Sequence, residues 1–344
     1  MHFQNTTPGR DNAAAAAAMR WTRVALAARF GLVILLSGWL GIFPAGAADA
    51  NPGLPPLTNL VRIGIDLGTW GGVNRNDANA AIMAWAKVIM KQRGDPVEIE
   101  TQMFDTPAAA RDALAQSRVD AVTMLTDQFL SLEPGLQLDA VYLAARDHSV
   151  TERYVLLVHR DAGIAQVGGL AGRKLVLQAN ARTSLALPWL DVLLARHSLG
   201  PAATALGALT KSDTPSKAVL KVFFHQADAC LVTSNVFELA CELNPQLRKE
   251  LKVLAVSPEV VPTLFFFRPD FVSSVRHELE PAILDLHKSP AGIQVLTVFQ
   301  CDRMMRCPLT SLDSTRELLA EYERSRQLSV AEKPTNAPPT ASKP

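Results

Sequence analysis

Residues 174–189, KLVLQANARTSLALPW, pass from an apolar alternation through a short polar loop into a second apolar pattern with helical spacing. The order is strand, loop, helix, with the strand over Lys174 to Leu177 and the helix from Leu185 to Arg196. Such a junction constrains the chemistry as well as the fold. The unpaired N–H groups of the first helical turn and the positive end of the helix dipole point into the loop, so an anion placed there is stabilised. Arg182, Thr183 and Ser184 add a guanidinium and two hydroxyls at that point. The same residues fit a plainer role, with Thr183 or Ser184 capping the helix and Arg182 a solvated loop charge.

The unit recurs. SRVDAVTML (117–125) and HQADACLVT (225–233) both set an acidic residue before a strand and hydroxyls after it, so two lobes are expected to repeat one α/β plan. Thr126 and Asp127 follow the first, as polar contacts or a helix cap, and Thr233 and Ser234 open the helix after the second. A first strand is predicted over 61–66 and a helix over 77–92, joined by LGTWGGVNRN. This places Trp70, Asn74 and Arg75 at the carboxyl end of a strand, where open α/β sheets hold their ligands. Further strands are predicted over 96–101, 119–124, 138–145, 228–232, 252–256 and 265–267, with another beginning after Arg153. Helices are predicted over 107–115, from Pro215, and over 270–286 and 311–326. Arg268 reads as a surface or hinge charge, and His225 as a surface or packed histidine.

The ends of the chain have other roles. Arg20, Arg23 and Arg29 precede an apolar stretch, 30–43, which ends in the small residues Ala45-Gly46-Ala47, the pattern of a cleaved export signal. Residues 1–47 are therefore expected to be a signal peptide, with Met19 a candidate start, and the mature chain to be exported. Cleavage after Ala47 leaves 297 of the 344 residues, with 30 basic and 32 acidic side chains. That balance carries no footprint for nucleic acid or an anionic membrane. The Pro-, Ala- and Lys-rich tail, 329–344, cannot bury enough apolar surface to order itself.

Four cysteines in an exported chain suggest disulfides. Cys301 and Cys307 bracket DRMMR, a short loop that a bridge would close, and a disulfide is expected there. The arginines of that loop argue against a soft metal site at Met304 and Met305. Cys230, on a strand, and Cys241, on the next helix, are either a pair or two buried apolar side chains.

Several segments resemble one family. GIAQVGGLAGRKLVLQ is similar to the D-L-x-G-K-K-V-A-F segment of the PhnD-like receptors, the phosphonate- and phosphite-type periplasmic binding proteins of ABC transporters. QADACLVTSNVFELACELNPQLRKELKVLAVSPEVVPTLFFFRPDF resembles that family's downstream pattern, V-D-A-G through N-P-E-L and S-P to R-P-D-L. DHSVTERYVLLVHRD resembles its crossing into the second lobe. The resemblance implies an α/β, two-lobed periplasmic-binding-protein fold of the second structural type with two crossover strands. Lobe 1 is then 58–146 plus 256–328, and lobe 2 is 147–255. VDAVTMLTDQF resembles V-D-L-A-W-L-G-P-x-x-Y, whose aromatic residue faces the ligand, so Phe129 inherits that place without the phenol hydroxyl. The family's Ser-Thr-Ser-Gly loop stands here as Ala181-Arg182-Thr183-Ser184, and Pro215 occupies a position where relatives carry histidine.

The resemblance implies a monomeric binding protein without cofactor that hands a small anionic ligand, phosphonate- or phosphite-like, to a membrane permease. A sensor of the same fold acting on a membrane kinase is the alternative. No metal-ligand spacing, nucleophile elbow or Walker loop appears in the sequence, so an enzyme is not expected.

Overall fold

A computed structural model describes residues 60–70, 76, 79–80, 83–84, 98–272, 274–298 and 301–331. The signal sequence, the helix expected over 77–92, Asn74, Arg75 and the tail beyond 331 lie outside the described residues or almost wholly so. Two sheets organise the rest. The strands are β1 (Leu60–Asp66), β2 (Glu98–Phe104), β3 (Ala121–Leu125), β4 (Ala140–Ala145), β5 (Tyr154–His159), β6 (Lys174–Gln178), β7 (Ala208–Ser212), β8 (Ala229–Thr233), β9 (Leu251–Val256), β10 (Thr263–Phe267) and β11 (Arg303–Pro308). The described helices are α1 (Pro107–Ala115), α2 (Thr126–Leu132), α3 (Ala186–Arg196), α4 (Ala202–Ala205), α5 (Pro215–Phe223), α6 (Ser234–Leu243), α7 (Gln246–Glu250), α8 (Ser274–Leu284), α9 (Pro290–Val298) and α10 (Asp313–Ala331).

The six-stranded sheet runs β11-β4-β10-β3-β1-β2, with β1 parallel to β2 and β3, and β10 antiparallel to β3 and β4. The five-stranded sheet runs β7-β6-β8-β5-β9, with β6 parallel to β7 and β8, and β5 antiparallel to its neighbours. Strands buried on both faces must be apolar along their length rather than alternating. YVLLVH in β5 and ACLVT in β8 are of this kind and are buried throughout. In β1, Gly64 leaves room for Phe104, whose ring edge would lie 2.7 Å from a Cβ at that position.

Two segments carry the chain between the sheets, 146–153 and 257–262. They pair with each other, since the Glu152 N–H donates to the Val260 carbonyl at 2.7 Å and the Val260 N–H returns the bond at 2.9 Å. This is the two-lobed α/β fold of the second structural type. β9 pairs with β5 in the five-stranded sheet, so the return crossing begins after Val256. The last helix also departs from expectation. Thr315 Oγ1 accepts the Val261 N–H at 2.9 Å, Arg316 meets Glu133, and beyond them Leu318, Leu319 and Tyr322 pack into the core that contains α3. α10 therefore straps the second sheet's helical layer to the crossing segments.

Two further expectations are corrected. Arg268 is a buried structural cation, 3.3 Å from Asp120 and 3.0 Å from the Val119 carbonyl, and Asp120 also takes Arg62 at 2.8 Å. Cys301 and Cys307 do not form a disulfide, and all four cysteines are free and buried. The stretch between them is strand β11, paired with β4 from Arg303 to Pro308. Six residues with most of their length in a strand separate the Cα atoms by nearly 20 Å at about 3.3 Å each, against the roughly 4.4–6.8 Å a disulfide spans. The two thiols enter different cores, Cys301 beside Leu296 and Cys307 with Leu312. Burial pushes the Cys301 thiol up to about 11.

Candidate functional site

The described parallel strands lead into the loops that face the crossing segments. β1 ends at Asp66, and the chain turns through a 3-10 helix, Leu67–Trp70, which reaches the 3-10 turn Ala181–Thr183 of the other lobe. Trp70 thus ends a turn at the predicted strand end, and its side chain lies outside the described residues. Asp66 is buried, its carboxylate accepting the N–H groups of Gly68 at 3.0 Å and Leu125 at 3.3 Å. It ties the ends of β1 and β3 together. Burial raises its pKa against these two bonds.

α2 starts directly on the end of β3. The Thr126 N–H donates to the Pro262 carbonyl of the return crossing at 3.0 Å, so the helix start is fixed to the hinge. Three consecutive side chains there, Thr126 Oγ1, Asp127 Oδ1 and Gln128 Oε1, have buried polar atoms with no hydrogen-bond partner among the described residues. Thr126 is fully buried. Burial raises Asp127 above the usual carboxylate range, against hydrogen bonds from the Gln128 and Asp127 backbone N–H groups, and the charge of Asp66 adds a smaller rise. Phe129 is not a ligand-facing ring. Its side chain faces inward one turn on, fully buried in the lobe core and edge-to-face with Phe266 at 5.2 Å.

On the other lobe the loop after β6 is internally satisfied. Thr183 is buried; its hydroxyl accepts the Asn180 N–H at 3.0 Å and donates to the Gln178 carbonyl at 2.8 Å. Ser184 Oγ lies 3.4 Å from the Pro262 carbonyl, so α2 and this loop meet at one residue of the return crossing. The Arg182 guanidinium donates to Glu152 Oε1 at 2.6 Å, with the two side chains 18% and 11% exposed. The Arg182 carbonyl accepts from the Tyr154 hydroxyl at 2.9 Å. Burial, followed by the charges of Glu152 and Asp127, raises the Tyr154 phenol. Arg146 stands near the same pair, its pKa lowered first by burial and then by the charge of Arg182. Arg182 is thus part of a compact charge network rather than a solvated loop charge.

Thr233 and Ser234 stand at the start of α6. Thr233 is buried and caps the helix, accepting the Val236 N–H at 3.4 Å, while its own N–H donates to Gln178 Oε1 at 3.3 Å. Ser234 directs both its N–H (2.8 Å) and its hydroxyl (3.2 Å) to the Arg153 carbonyl of the first crossing. Both are therefore engaged in structure.

The lobe junction brings together Thr126, Asp127, Arg182 and Ser184, with Asp66, Glu152, Arg146 and Tyr154, which sequence reasoning passed over. Asp66 had a usable signal, a lone carboxylate closing the buried half of a strand, Ile63 to Asp66. Glu152 had none, since its role depends on the pairing of two crossings 108 residues apart at Glu152 and Val260. Chemically the junction offers one wall of unmatched acceptors and one wall where a guanidinium is already balanced by a carboxylate.

Comparisons with known proteins agree with this architecture. Protein XAC2383 of Xanthomonas citri, solved bound to ATP, superposes with a TM-score of 0.56 at 17% identity, covering 78% of this chain and 98% of its own. PhnD1 of Prochlorococcus marinus, in complex with methylphosphonate, gives a TM-score of 0.54 at 16% identity over 78% of this chain and 99% of its own. A binding-protein component of an ABC phosphonate transporter from Pseudomonas aeruginosa gives 0.54 at 14% identity, covering 80% and 90%. No curated protein sequence matches the chain. The family model for the phosphonate periplasmic substrate-binding protein of ABC transporters matches residues 73–306, well over half of the sequence. The chain therefore belongs to the phosphonate family of ABC-transporter periplasmic substrate-binding proteins.

Proposed function

We propose that the protein captures a small phosphonate- or phosphite-like oxyanion between its lobes and presents it to the membrane permease of an ABC importer. Members of this family bind solutes and are not enzymes, so the work is done by differential affinity for an open and a closed arrangement. The observation that carries the reading is the meeting of α2 and the loop 180–184 at Pro262, where a ligand contacting both loops bridges the lobes.

The chemistry refines the ligand. The guanidinium of Arg182 supplies bidentate geometry for an oxyanion, yet it already meets Glu152, so the ligand competes with or joins that pair. On the opposite wall Asp127 and Gln128 offer acceptors, which favour a ligand that also carries a donor, such as the P–OH of a hydrogen phosphonate or an amino substituent. Thr126 serves either kind of ligand atom. Ligand at this point shifts the population toward closure about the paired crossings, the form a permease recognises.

The test is a melting-temperature scan of the protein starting at Ala48 against phosphate, phosphite, alkyl- and aminoalkylphosphonates, sulfate and dicarboxylates. A ligand at about a hundred times its dissociation constant stabilises by roughly 2.7 kcal/mol, a readily measured shift. A rise with a phosphorus oxyanion and none with sulfate or dicarboxylates is expected. A response confined to dicarboxylates, or to none of the set, would refute the ligand class.

A further inference from the structure

At the far end of β5 from the hinge, three side chains of metal-binding type converge from two separate stretches of chain. β5 begins at Tyr154, beside Arg182, and ends at His159, about 17 Å further along the strand. His159 is 5% exposed, and Asp161 and Glu250 reach it from either side. Asp161 Oδ2 lies 3.9 Å from Nδ1 and Glu250 Oε2 lies 4.0 Å from Nε2. One ligand atom from each of the three residues fits within 4.8 Å of the other two. The ring of His225 stands over His159 with centroids 4.0 Å apart, on a left-handed backbone (φ 55°) just past α5.

We propose that His159, Asp161 and Glu250 bind one divalent transition-metal ion of the zinc type. Two carboxylates balance the ion's charge, and imidazole beside carboxylate suits zinc and its neighbours in the first transition row. The one lone pair of neutral His159, on Nδ1, accepts the Asp161 N–H at 3.2 Å, so ligation through either ring nitrogen displaces that bond. Ligand atoms around a tetrahedral zinc lie about 3.4 Å apart when the bonds are about 2.1 Å, so the donors need to close by less than about 1.5 Å. Asp161 and Glu250 are 81% and 45% exposed and make that movement without disturbing the core. The cations in the same segments are turned away: Arg160 donates to the Lys249 carbonyl at 2.7 Å and Lys252 to the Ile164 carbonyl at 3.1 Å. The ion would pin the end of β5 to the start of β9. Because the site lies at the opposite end of the strand from the hinge, its occupancy stabilises the lobe and leaves capture of the oxyanion unchanged.

The experiment is a calorimetric titration of chelator-stripped, tag-free protein with Zn2+, alongside melting temperatures with and without the ion. Saturable binding of one equivalent and a rise in melting temperature are expected, and the four buried cysteines do not compete. Asp161→Asn combined with Glu250→Gln should weaken binding at least tenfold and leave the metal-free melting temperature unchanged. Should the double variant melt early, Asp161→Asn alone carries the same comparison. No saturable binding, or variants that bind Zn2+ as tightly as the unaltered protein, would overturn the proposal.

Discussion

The start of α2 and the loop before α3 read alike in the sequence, a strand followed by small hydroxyls and a helix, yet the structure uses them in opposite ways. In the loop 180–184 the polar groups close on one another: the Thr183 hydroxyl on Asn180 and Gln178, the Arg182 guanidinium on Glu152. At 126–128 three side-chain atoms are buried with no partner among the described residues. A buried polar atom left unpaired costs about 1–3 kcal/mol, so a fold keeps one where a ligand or water supplies the missing bond. The hydroxyl-rich loop that dominates the sequence is thus largely a self-supporting scaffold. In the function proposed above, the plainer segment on the other lobe is where a ligand supplies the missing bonds.

The largest effect expected is at Arg182. Arg182→Ala strands Glu152, 11% exposed, without its partner, and should cost roughly 2–4 kcal/mol in denaturant titration as well as at least tenfold in oxyanion affinity. Glu152→Gln in the same chain should recover part of the stability but not the affinity. Recovery of both would make Arg182 purely structural. Next in size, Thr183→Val removes a hydroxyl with two partners and should destabilise by about 1–3 kcal/mol. Thr126→Val removes one without a partner and should leave stability unchanged or slightly higher. Equal losses at the two threonines would erase the contrast between the loops.

The acidic wall gives a smaller, pH-dependent effect. The folded pKa values of Asp66 and Asp127 lie above their unfolded values, so ionisation opposes folding. Their neutral forms stabilise the fold fully below the unfolded carboxylate pKa of about 3.9, and that contribution is lost as pH rises through the folded values. Asp127→Asn should therefore raise the melting temperature at neutral pH, and the gain should shrink as pH falls through the acid range. A gain independent of pH would mean that the charge of Asp127 carries no cost. Smallest of all, a reducing agent should not change the melting temperature, because Cys301 and Cys307 lie on separate cores.

Much of the architecture was legible because it rests on local signals. The apolar runs of β5, β8 and β10, and helices such as α1 and α3, follow from periodicity and sit within two residues of expectation. The failures have physical causes. DRMMR reads as a loop because its charges suit solvent, yet β11 is an edge strand, where arginines project outward while the backbone pairs with β4. Phe129 was taken for a ligand contact from the resemblance alone, and its turn on α2 points it into the core instead. Within the site, hydroxyls and Arg182 were visible as residue types near helix starts. Glu152 and Arg146 were not, because a crossing segment carries no periodic pattern, and its partners are set by pairing with Val260.

The most direct measurement is a calorimetric titration of the unaltered protein and of Thr126→Val with whichever phosphorus oxyanion raises the melting temperature. The account predicts one-to-one binding to both, several-fold to tenfold weaker in Thr126→Val, with the ligand-free melting temperatures equal. Equal affinities would contradict it, placing the ligand away from the unpaired groups of α2.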